Sequence, residues 1–531
     1  MTERIERMRQ FFVVDKGQKA MWQKEENPYV LAEQFAAEQT PDVDRAARRL
    51  IYVLDKEEPV LFEDERIAFT RTVTTIPEIF TEAEMEELRK EHWIHEKGDV
   101  CNISVDYTKL LNQGFDAKKA ELEVLRQQFS QAGEAAKAHN IKLQIDILDH
   151  VLALAARYQE LAEKKGNDVV ARTLKAVPAH APQSFLEALS MFRIIHFTMW
   201  CGRNYHNTVG RFDQYIYPYL KADLDKGLYT EENALELLEE FFLTFNRDSD
   251  LYPGMQQGDN GQSLVLGGLN EDGSDSYNLL SELCLKACLE LKVIDPKINL
   301  RVHEKTPLGT YILGTQLTKQ GLGFPQYSND DVVIPGLMEL GYKKEDAYRY
   351  VVAACWEFII PGAAMDIPNI EALSFTKAVS DAAMEKLEQC RSYDEFEKAV
   401  RDKINAQADE LCKRVNGVYL YPAPFLSLMM DGCCENGTDV SLGCQYNNYG
   451  FHGTGIATAA DSLAAVKKFV FEEKSMDASA LVKALENDFE GEELLCNRLR
   501  YESPKMGNND DYVDEIAARL LNDFADCLKG R

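Results

Sequence analysis

The sequence predicts an α/β fold in which helices alternate with a few short, buried strands. Stretches rich in Ala, Glu, Lys, Leu and Gln show the apolar spacing of amphipathic helices. Short apolar runs, too short for ordinary helices, interrupt them. No internal repeat, low-complexity tract or long linker divides the chain. We therefore predict one α/β barrel domain over residues 1–531.

The elements can be placed in chain order from these patterns. Residues 1–170 are predicted to be largely helical, and Asp42 or Asp44 is expected to cap one of the helices. Ala, Glu and Lys content predicts a helical pair in the second half of that region. The predicted helices are 2–25, 42–56, 116–165, 185–200, 230–245 and 276–292, and the predicted strands are 298–302, 350–354 and 424–429.

Composition excludes several classes of protein. Hydrophobic residues make up 45% and charged residues 28%, as in ordinary globular proteins. The net charge of −29 argues against nucleic-acid binding, which needs a basic surface. No apolar run approaches the roughly 20 residues that span a bilayer. The charged first ten residues lack the apolar core of a signal peptide, so we predict a cytoplasmic protein.

The cysteines and histidines predict neither disulfides nor a metal site. Twelve cysteines are too sparse in this chain for a disulfide scaffold. Cys284 and Cys288 share a helical face, but no further ligand follows nearby, so packing is the better interpretation. The nine histidines show no HxxxH or HExxH spacing, and we predict no metal.

The most informative segment is Cys355-Trp356-Glu357, within an apolar run. In an extended segment, side chains two residues apart point to the same side, so thiol and carboxyl are expected to face one pocket. Burial raises the pKa of a thiol and of a carboxyl. A protonated thiol beside such a carboxyl suits hydrogen-atom chemistry better than thiolate attack. The alternative is an ordinary core cysteine beside a partnered acid.

Further motifs, spread over more than 400 residues, give this segment a context. The motifs are, in chain order, Pro77-Glu78, 210–218 (GRFDQYIYP), 267–273 (GGLNEDG), 295–303 (DPKINLRVH), Thr306-Pro307, 321–325 (GLGFP), Asn329-Asp330, 461–468 (DSLAAVKK), 489–491 (FEG) and 504–512 (PKMGNNDDY). With these motifs in this order, the chain resembles the glycyl radical enzymes, the family of pyruvate formate-lyase and the diol dehydratases.

This resemblance implies a ten-stranded barrel of two half-barrels, with Cys355 on a central loop. Family members carry a glycine-bearing loop, commonly Arg-Val-Ala-Gly-Tyr, which stores the radical, and Gly530 has none of that context. We therefore expect the radical on a separate small chain, installed by a radical-SAM activating enzyme, with no bound cofactor. A truncated chain and an inactive relative are the alternatives. The barrel is expected to be incomplete at its C-terminal end, which would leave an unpaired sheet edge suited to a partner chain, and a homodimer is possible.

The resemblance also implies a mechanism. A thiyl radical on Cys355 takes a hydrogen atom from the substrate, and Glu357 accepts a proton from the substrate hydroxyl. Water, an amine or a sulfonate then leaves the neighbouring carbon. The Cys-x-Glu spacing favours such a lyase over an acyltransferase.

Five residues are candidates for substrate binding. Characterised dehydratases commonly have a His where this chain has Asn102, and an Asp where it has Asn369, although Asp366 lies close enough to substitute. Arg203 or His206 could pair with an anionic substrate group; a structural ion pair is the equal alternative for Arg203. We expect a small polar or anionic substrate.

Two other functions remain open. The first is a decarboxylase of an arylacetate-like acid, which Arg203 and Trp356 would suit. The second is a non-catalytic relative that binds a metabolite.

Overall fold

The computed structural model describes residues 1–23, 27–96, 98–248, 260–415 and 417–531. Helices dominate, and some begin where the sequence supplies a side-chain cap: Ser184 and Thr230 accept hydrogen bonds from the first turns of α9 (Phe185–Cys201) and α12 (Glu231–Thr244). The helices are α1 Glu3–Arg9, α2 Val30–Glu38, α3 Asp42–Lys56, α4 Glu82–Glu91, α5 Thr108–Leu111, α6 Gly114–Gln131, α7 Ala135–Lys165, α8 Asp168–Ala176, α9 Phe185–Cys201, α10 Phe212–Tyr215, α11 Tyr217–Asp225, α12 Glu231–Thr244, α13 Leu279–Leu291, α14 Leu308–Thr318, α15 Asp330–Glu339, α16 Lys344–Tyr348, α17 Phe375–Lys386, α18 Tyr393–Arg414, α19 Pro424–Ser427, α20 Cys433–Asn436, α21 Ile456–Val466, α22 Ala478–Glu486, α23 Glu493–Tyr501 and α24 Asp511–Leu528.

The strands are short, and the described residues form four sheets from them. The sheet orders are β1-β10, β11-β9-β2-β3, β4-β5-β6 and β7-β8. No closed ten-stranded barrel is traced by these described strands. The strands are β1 Trp93–Ile94, β2 Cys101–Ile103, β3 Tyr205–Asn207, β4 Ser263–Gly267, β5 Lys297–Val302, β6 Gln326–Asn329, β7 Val351–Ala353, β8 Glu357–Ile359, β9 Ala364–Ser374, β10 Val418–Tyr419 and β11 Tyr446–Thr454.

The predicted α/β class is confirmed, and so are most of the predicted elements. α3 begins at Asp42, although Pro41 occupies the position before it and makes no side-chain cap. The first predicted helix, 2–25, is divided into α1, a π-helical turn at Gln10–Val14 and a 3-10 turn at Gly17–Met21; residues 24–25 lie outside the described residues.

One predicted strand is wrong. The segment 424–429 begins with helix α19 and is buried. Pro424 occupies the first helical turn, where its fixed φ and missing N–H are tolerated. A short apolar run does not by itself distinguish a strand from a buried helix.

The single predicted domain divides into two compact units. The first contains residues 1–367 and 419–448, and the second contains 368–418 and 449–531. Helix α9 lies in the first unit, and all its residues from Ala188 to Cys201 are buried. The second unit has its own apolar core, which includes Phe375, Phe396 and Ile516.

Candidate active site

The Cys355 segment forms a β-hairpin. Strands β7 and β8 pair antiparallel, with Val351 opposite Ile359 and Ala353 opposite Glu357. Both strands belong to an apolar cluster that includes Val265, which fixes the base of the hairpin in the first unit. Residues 354–356 form the loop at its tip.

Glu357 shapes the tip of this hairpin. Its Oε2 accepts hydrogen bonds from the backbone N–H of Cys355 at 2.8 Å and of Trp356 at 3.0 Å. Ala354 has a φ of +39°, in the left-handed region that turns require. The carboxylate therefore satisfies two backbone donors that the turn leaves without ladder partners. This contact brings the Glu357 carboxylate back over the cysteine backbone.

The expectation that Cys355 is buried is wrong. Cys355 is exposed, and the neighbouring Trp356 is 55% exposed. The apolar run folds as a hairpin and not as one extended strand, so its strands are buried while its tip projects. The tip of the hairpin, with Cys355 and Trp356, is thus exposed to solvent.

Three predicted substrate-binding residues lie in one row across a sheet. Strand β2 pairs parallel with β3, with Cys101 opposite Tyr205 and Ile103 opposite Asn207, which puts Asn102 beside His206. Strand β2 also pairs antiparallel with β9, with Ile103 opposite Met365. The same register places Asn102 opposite Asp366. We call His206, Asn102 and Asp366 the three-residue row.

A side-chain contact joins two members of the row, His206 and Asn102. Nδ1 of His206 lies 2.7 Å from Oδ1 of Asn102. Both residues have a positive φ, of 49° at Asn102 and 48° at His206. A Cβ at Gly261 would lie 2.5 Å from the His206 ring, so only glycine leaves room for this imidazole.

Asp366, the third member of the row, has a buried carboxyl group. It is 7% exposed, and its Oδ1 is buried without a hydrogen-bond partner within the described chain. Burial, and then the negative charge of Glu357, raise the pKa of Asp366 to about 7. The row therefore lies near enough to the hairpin for Glu357 to act on Asp366.

A second contact links the hairpin to β4. Oγ of Ser263, the first residue of β4, donates a hydrogen bond of 3.4 Å to the carbonyl oxygen of Ala354. Ser263 lies two residues after Gly261, whose lack of a side chain leaves room for the His206 ring. No sequence pattern indicates either residue, because both contribute only through contacts with segments distant in the chain.

Arg203 is held by acidic side chains. Its Nη1 lies 2.7 Å from Oε1 of Glu78, and its Nε lies 2.6 Å from Oδ2 of Asp99. Arg203 is buried in this arrangement, and the attraction of Asp99 and Glu78 outweighs desolvation to raise the pKa of its guanidinium. This geometry favours the structural ion pair over the anion receptor.

Asn369 belongs to the second unit. It is exposed, has a φ of +54° and contacts His452, whose Nε2 meets its Oδ1. Its predicted contact with substrate stays a prediction.

Other expected features can be compared with the described residues. None of the twelve cysteines is in a disulfide. In the described ranges, no group of three or more His, Cys, Asp or Glu side chains is arranged to hold a metal ion. None of the helices described is long and apolar enough to cross a membrane.

Comparisons with known proteins define the class. Residues 77–531 match the profile of the family described as pyruvate formate lyase-like. The chain is 28% identical over 476 residues to trans-4-hydroxy-L-proline dehydratase of Clostridioides difficile, covering 79% of this chain and 58% of that protein. It is 28% identical over 474 residues to (2S)-3-sulfopropanediol dehydratase of Klebsiella oxytoca, covering 81% and 57%.

A solved structure agrees with this class. The glycerol-bound form of the B12-independent glycerol dehydratase from Clostridium butyricum superposes with a TM-score of 0.84 at 25% identity, covering 100% of this chain and 79% of that one. The fold is therefore that of a glycyl radical enzyme. This chain belongs to the pyruvate formate lyase-like family. It spans less than three fifths of the length of the two curated relatives.

Proposed function

We propose that this chain is the catalytic chain of a glycyl radical lyase, which eliminates a group from the carbon next to a hydroxyl-bearing carbon. The observation that carries the proposal is the hairpin, in which the Glu357 carboxylate folds back beside exposed Cys355. The family's curated relatives include dehydratases, sulfite-lyases and a decarboxylase. That range supports lyase chemistry for this chain.

Cys355 and Glu357 have different roles in the proposed reaction. A glycyl radical, supplied by a second polypeptide, would provide the means to convert the Cys355 thiol to a thiyl. Sγ of Cys355 takes a hydrogen atom from the hydroxyl-bearing carbon of the substrate. Glu357 then accepts the hydroxyl proton, whose acidity rises in the substrate radical. After the neighbouring group leaves, Cys355 returns the hydrogen atom.

The radical is proposed to come from a separate small chain, activated by a radical-SAM enzyme. The exposure of Cys355 and Trp356 supports this, because a hairpin tip open to solvent is open to another polypeptide. We propose a cytoplasmic assembly, since that compartment keeps cysteine thiols such as Cys355 reduced.

The substrate is proposed to be a small polar molecule. The three-residue row offers amide, imidazole and carboxyl groups, which bind hydroxyl and amine groups through hydrogen bonds. An anionic substrate is less well supported, because Arg203 already contacts Glu78 and Asp99.

Electron paramagnetic resonance would test this function. The chain is incubated anaerobically with an activating enzyme, with and without a glycine-bearing small chain. A glycine-type doublet is expected only with the small chain, followed by turnover of a 1,2-diol. Cys355→Ala should keep the doublet and lose all turnover. An active Cys355→Ala variant would contradict the proposal.

A further inference from the structure

A cavity of about 280 Å³ lies at the base of the hairpin, away from its tip. Arg349 and Pro361 line it, and they flank the hairpin two residues before β7 and two residues after β8. Cys355 is at the other end of these three-residue strands, roughly 10 Å further along them. The cavity is therefore separate from the thiol and from the chemistry proposed there.

Two further segments line this cavity, and each follows a strand that carries a member of the three-residue row. Residues 104–108 follow β2, and residues 209–211 follow β3. Because β2 and β3 are parallel, both segments leave the sheet at the same end. Open α/β sheets commonly bind ligands beyond the carboxyl ends of their parallel strands. The position of the cavity is thus one at which such sheets bind small molecules.

Arg211 brings to the cavity a positive charge whose hydrogen bonds all go to neutral groups. Nη2 donates to the carbonyl oxygen of Gly267 at 3.1 Å and to Oγ of Ser276 at 2.6 Å, and Nη1 donates to the carbonyl oxygen of Tyr348 at 3.4 Å. Nε is buried without a hydrogen-bond partner within the described chain. Burial, and then the positive charge of Arg301, lower the pKa of Arg211 to about 10, and nearby carboxylates do not offset this. An anion in the cavity would compensate this charge.

Arg349 is a second cation in the wall of the cavity, and its side chain is 46% exposed. Its Nη2 donates to the carbonyl oxygen of Pro361 at 3.3 Å, and its Nη1 lies 3.5 Å from Oδ1 of Asp346. Asp346 is not one of the lining residues, and it also accepts from the hydroxyl of Tyr446. A guanidinium has five N–H groups, so these two contacts leave donors of Arg349 available to a ligand.

Asp106 determines which class of anion fits, because it is the acid among the lining residues. Its Oδ1 accepts from the backbone N–H and from Oγ1 of Thr108, at 3.1 and 2.6 Å. Two guanidinium groups and one carboxylate leave a single net positive charge, which suits one carboxylate better than a doubly charged phosphate. Asp106 and Thr108 also offer hydrogen-bond partners to a hydroxyl or amino group.

We infer that this cavity is a second ligand site, which binds a small monocarboxylate carrying a hydroxyl or amino group, with its carboxylate between Arg211 and Arg349. The planar guanidinium fork matches the geometry of a carboxylate. Arg349 leads into β7 and Arg211 follows β3, so the bound carboxylate joins the base of the hairpin to the sheet of the three-residue row. The inference does not rest on the proposed function, because neither Cys355 nor a radical takes part in binding.

Arginine modification by phenylglyoxal, measured by peptide mass spectrometry, tests binding without turnover. L-lactate and glycine are the probes, and lactamide is the uncharged analogue. Each probe should slow the modification of Arg349 by about tenfold at ten times its Kd, and lactamide should not. Arg414 is the internal control, because its side chain is 52% exposed and should react equally in all samples. Absence of protection by both probes overturns the inference, and so does equal protection by lactamide or by inorganic phosphate.

Titration calorimetry of variants tests the assignment to this cavity. Arg349→Gln should weaken the binding of L-lactate by at least about tenfold, because it removes a charged donor. Arg414→Gln is the matched control and should leave the affinity within about twofold. Asp106→Asn should weaken the binding of glycine, whose ammonium group loses a carboxylate partner, and should not weaken that of lactate. Lactate binding that is unchanged in Arg349→Gln belongs to another site and overturns the inference.

Discussion

At residue 366, burial decides the chemistry of a carboxyl that sequence alone suggested only as a substitute ligand. Asp366 and Glu357 lie close enough to interact, yet Glu357 is half-buried and accepts two backbone hydrogen bonds while Oδ1 of Asp366 has no partner within the described chain. Two acids whose environments differ in this way are suited to opposite roles in proton transfer.

Asp366 should make folding stability depend on pH. Its folded pKa of about 7 lies above the ordinary Asp value, so the native state holds more protons than the unfolded state between about pH 4 and 7. This contribution is full below about pH 4 and is lost as the pH rises through 7. Between about pH 5 and 8 the loss is roughly 2–3 kcal/mol.

Denaturant unfolding of Asp366→Asn measures that contribution. The variant should lack this pH dependence, so its stability relative to the native chain should improve from about pH 5 to 8. Glu357→Gln, which removes the neighbouring charge, should weaken the dependence without abolishing it. A constant difference between the native chain and Asp366→Asn would contradict the shifted pKa.

Glu357 is expected to have two separable roles. Glu357→Ala removes both the base and the acceptor for the Cys355 and Trp356 N–H groups, whereas Glu357→Gln keeps an acceptor oxygen. Both variants should lose activity by about 10²–10⁴-fold. Only Glu357→Ala should speed hydrogen exchange at those two amides. An active Glu357→Gln variant would show that Glu357 is not the base.

The sequence predicts which residues belong to the candidate site better than it predicts their burial and their hydrogen-bond partners. Sequence motifs predict Asn102, His206 and Asp366 as site residues, but their alignment follows from pairing among strands far apart in the chain. Arg203 could not be assigned, because its partners Glu78 and Asp99 lie more than a hundred residues away. Burial of Cys355 was predicted wrongly, since hydrophobicity does not reveal a hairpin tip.

At the scale of elements, a buried network of hydrogen bonds around Arg301 holds the segment that leads into β7, the first strand of the hairpin. Arg301 on β5 makes two hydrogen bonds to Asp330 at the start of α15, at 2.9 and 2.8 Å. It also donates to the carbonyl oxygens of Tyr348 and Tyr350, the latter directly before β7. The Tyr350 hydroxyl donates to Asp330 at 2.6 Å. The network therefore ties β5 and α15 to the strand that leads to Cys355.

Breaking this network should be strongly destabilising. Arg301→Met removes the cation of a buried ion pair, leaves the buried charge of Asp330 uncompensated by it, and should lower the free energy of unfolding by about 3–5 kcal/mol. The control is Lys398→Met, which removes an exposed ion pair with Asp402 and should change stability by less than about 0.5 kcal/mol. Similar effects of the two substitutions in denaturant unfolding would show that the network contributes little.

Elements with strong local signals were predicted best. Helices α6 and α7 follow from composition, and β5 agrees with its predicted strand within one residue. The segment 424–429 failed because its apolar run fits either a strand or a buried helix, and the surrounding core selected the helix. A local sequence pattern therefore predicts an element correctly when the length of the pattern distinguishes a helix from a strand. It fails for short apolar runs that fit both.

Across the whole molecule, the cysteines have very different access to solvent. Six are buried, five are half-buried, and Cys355 is exposed. Burial in apolar surroundings raises the pKa of Cys284 and Cys288, which further slows their reaction because the thiolate is the nucleophile. Reaching the buried thiols requires opening of the cores around them.

Alkylation of the native chain should therefore modify Cys355 faster than the buried cysteines. The expected result, measured by peptide mass spectrometry over time, is rapid labelling of the Cys355 peptide and loss of that fast phase in Cys355→Ala. Cys284 and Cys288 should react only after denaturant is added, and they serve as the internal standard. If a glycine-bearing chain covers the hairpin, it should slow labelling at Cys355 alone. Fast labelling of the buried cysteines in the native state would contradict the packing described for the first unit.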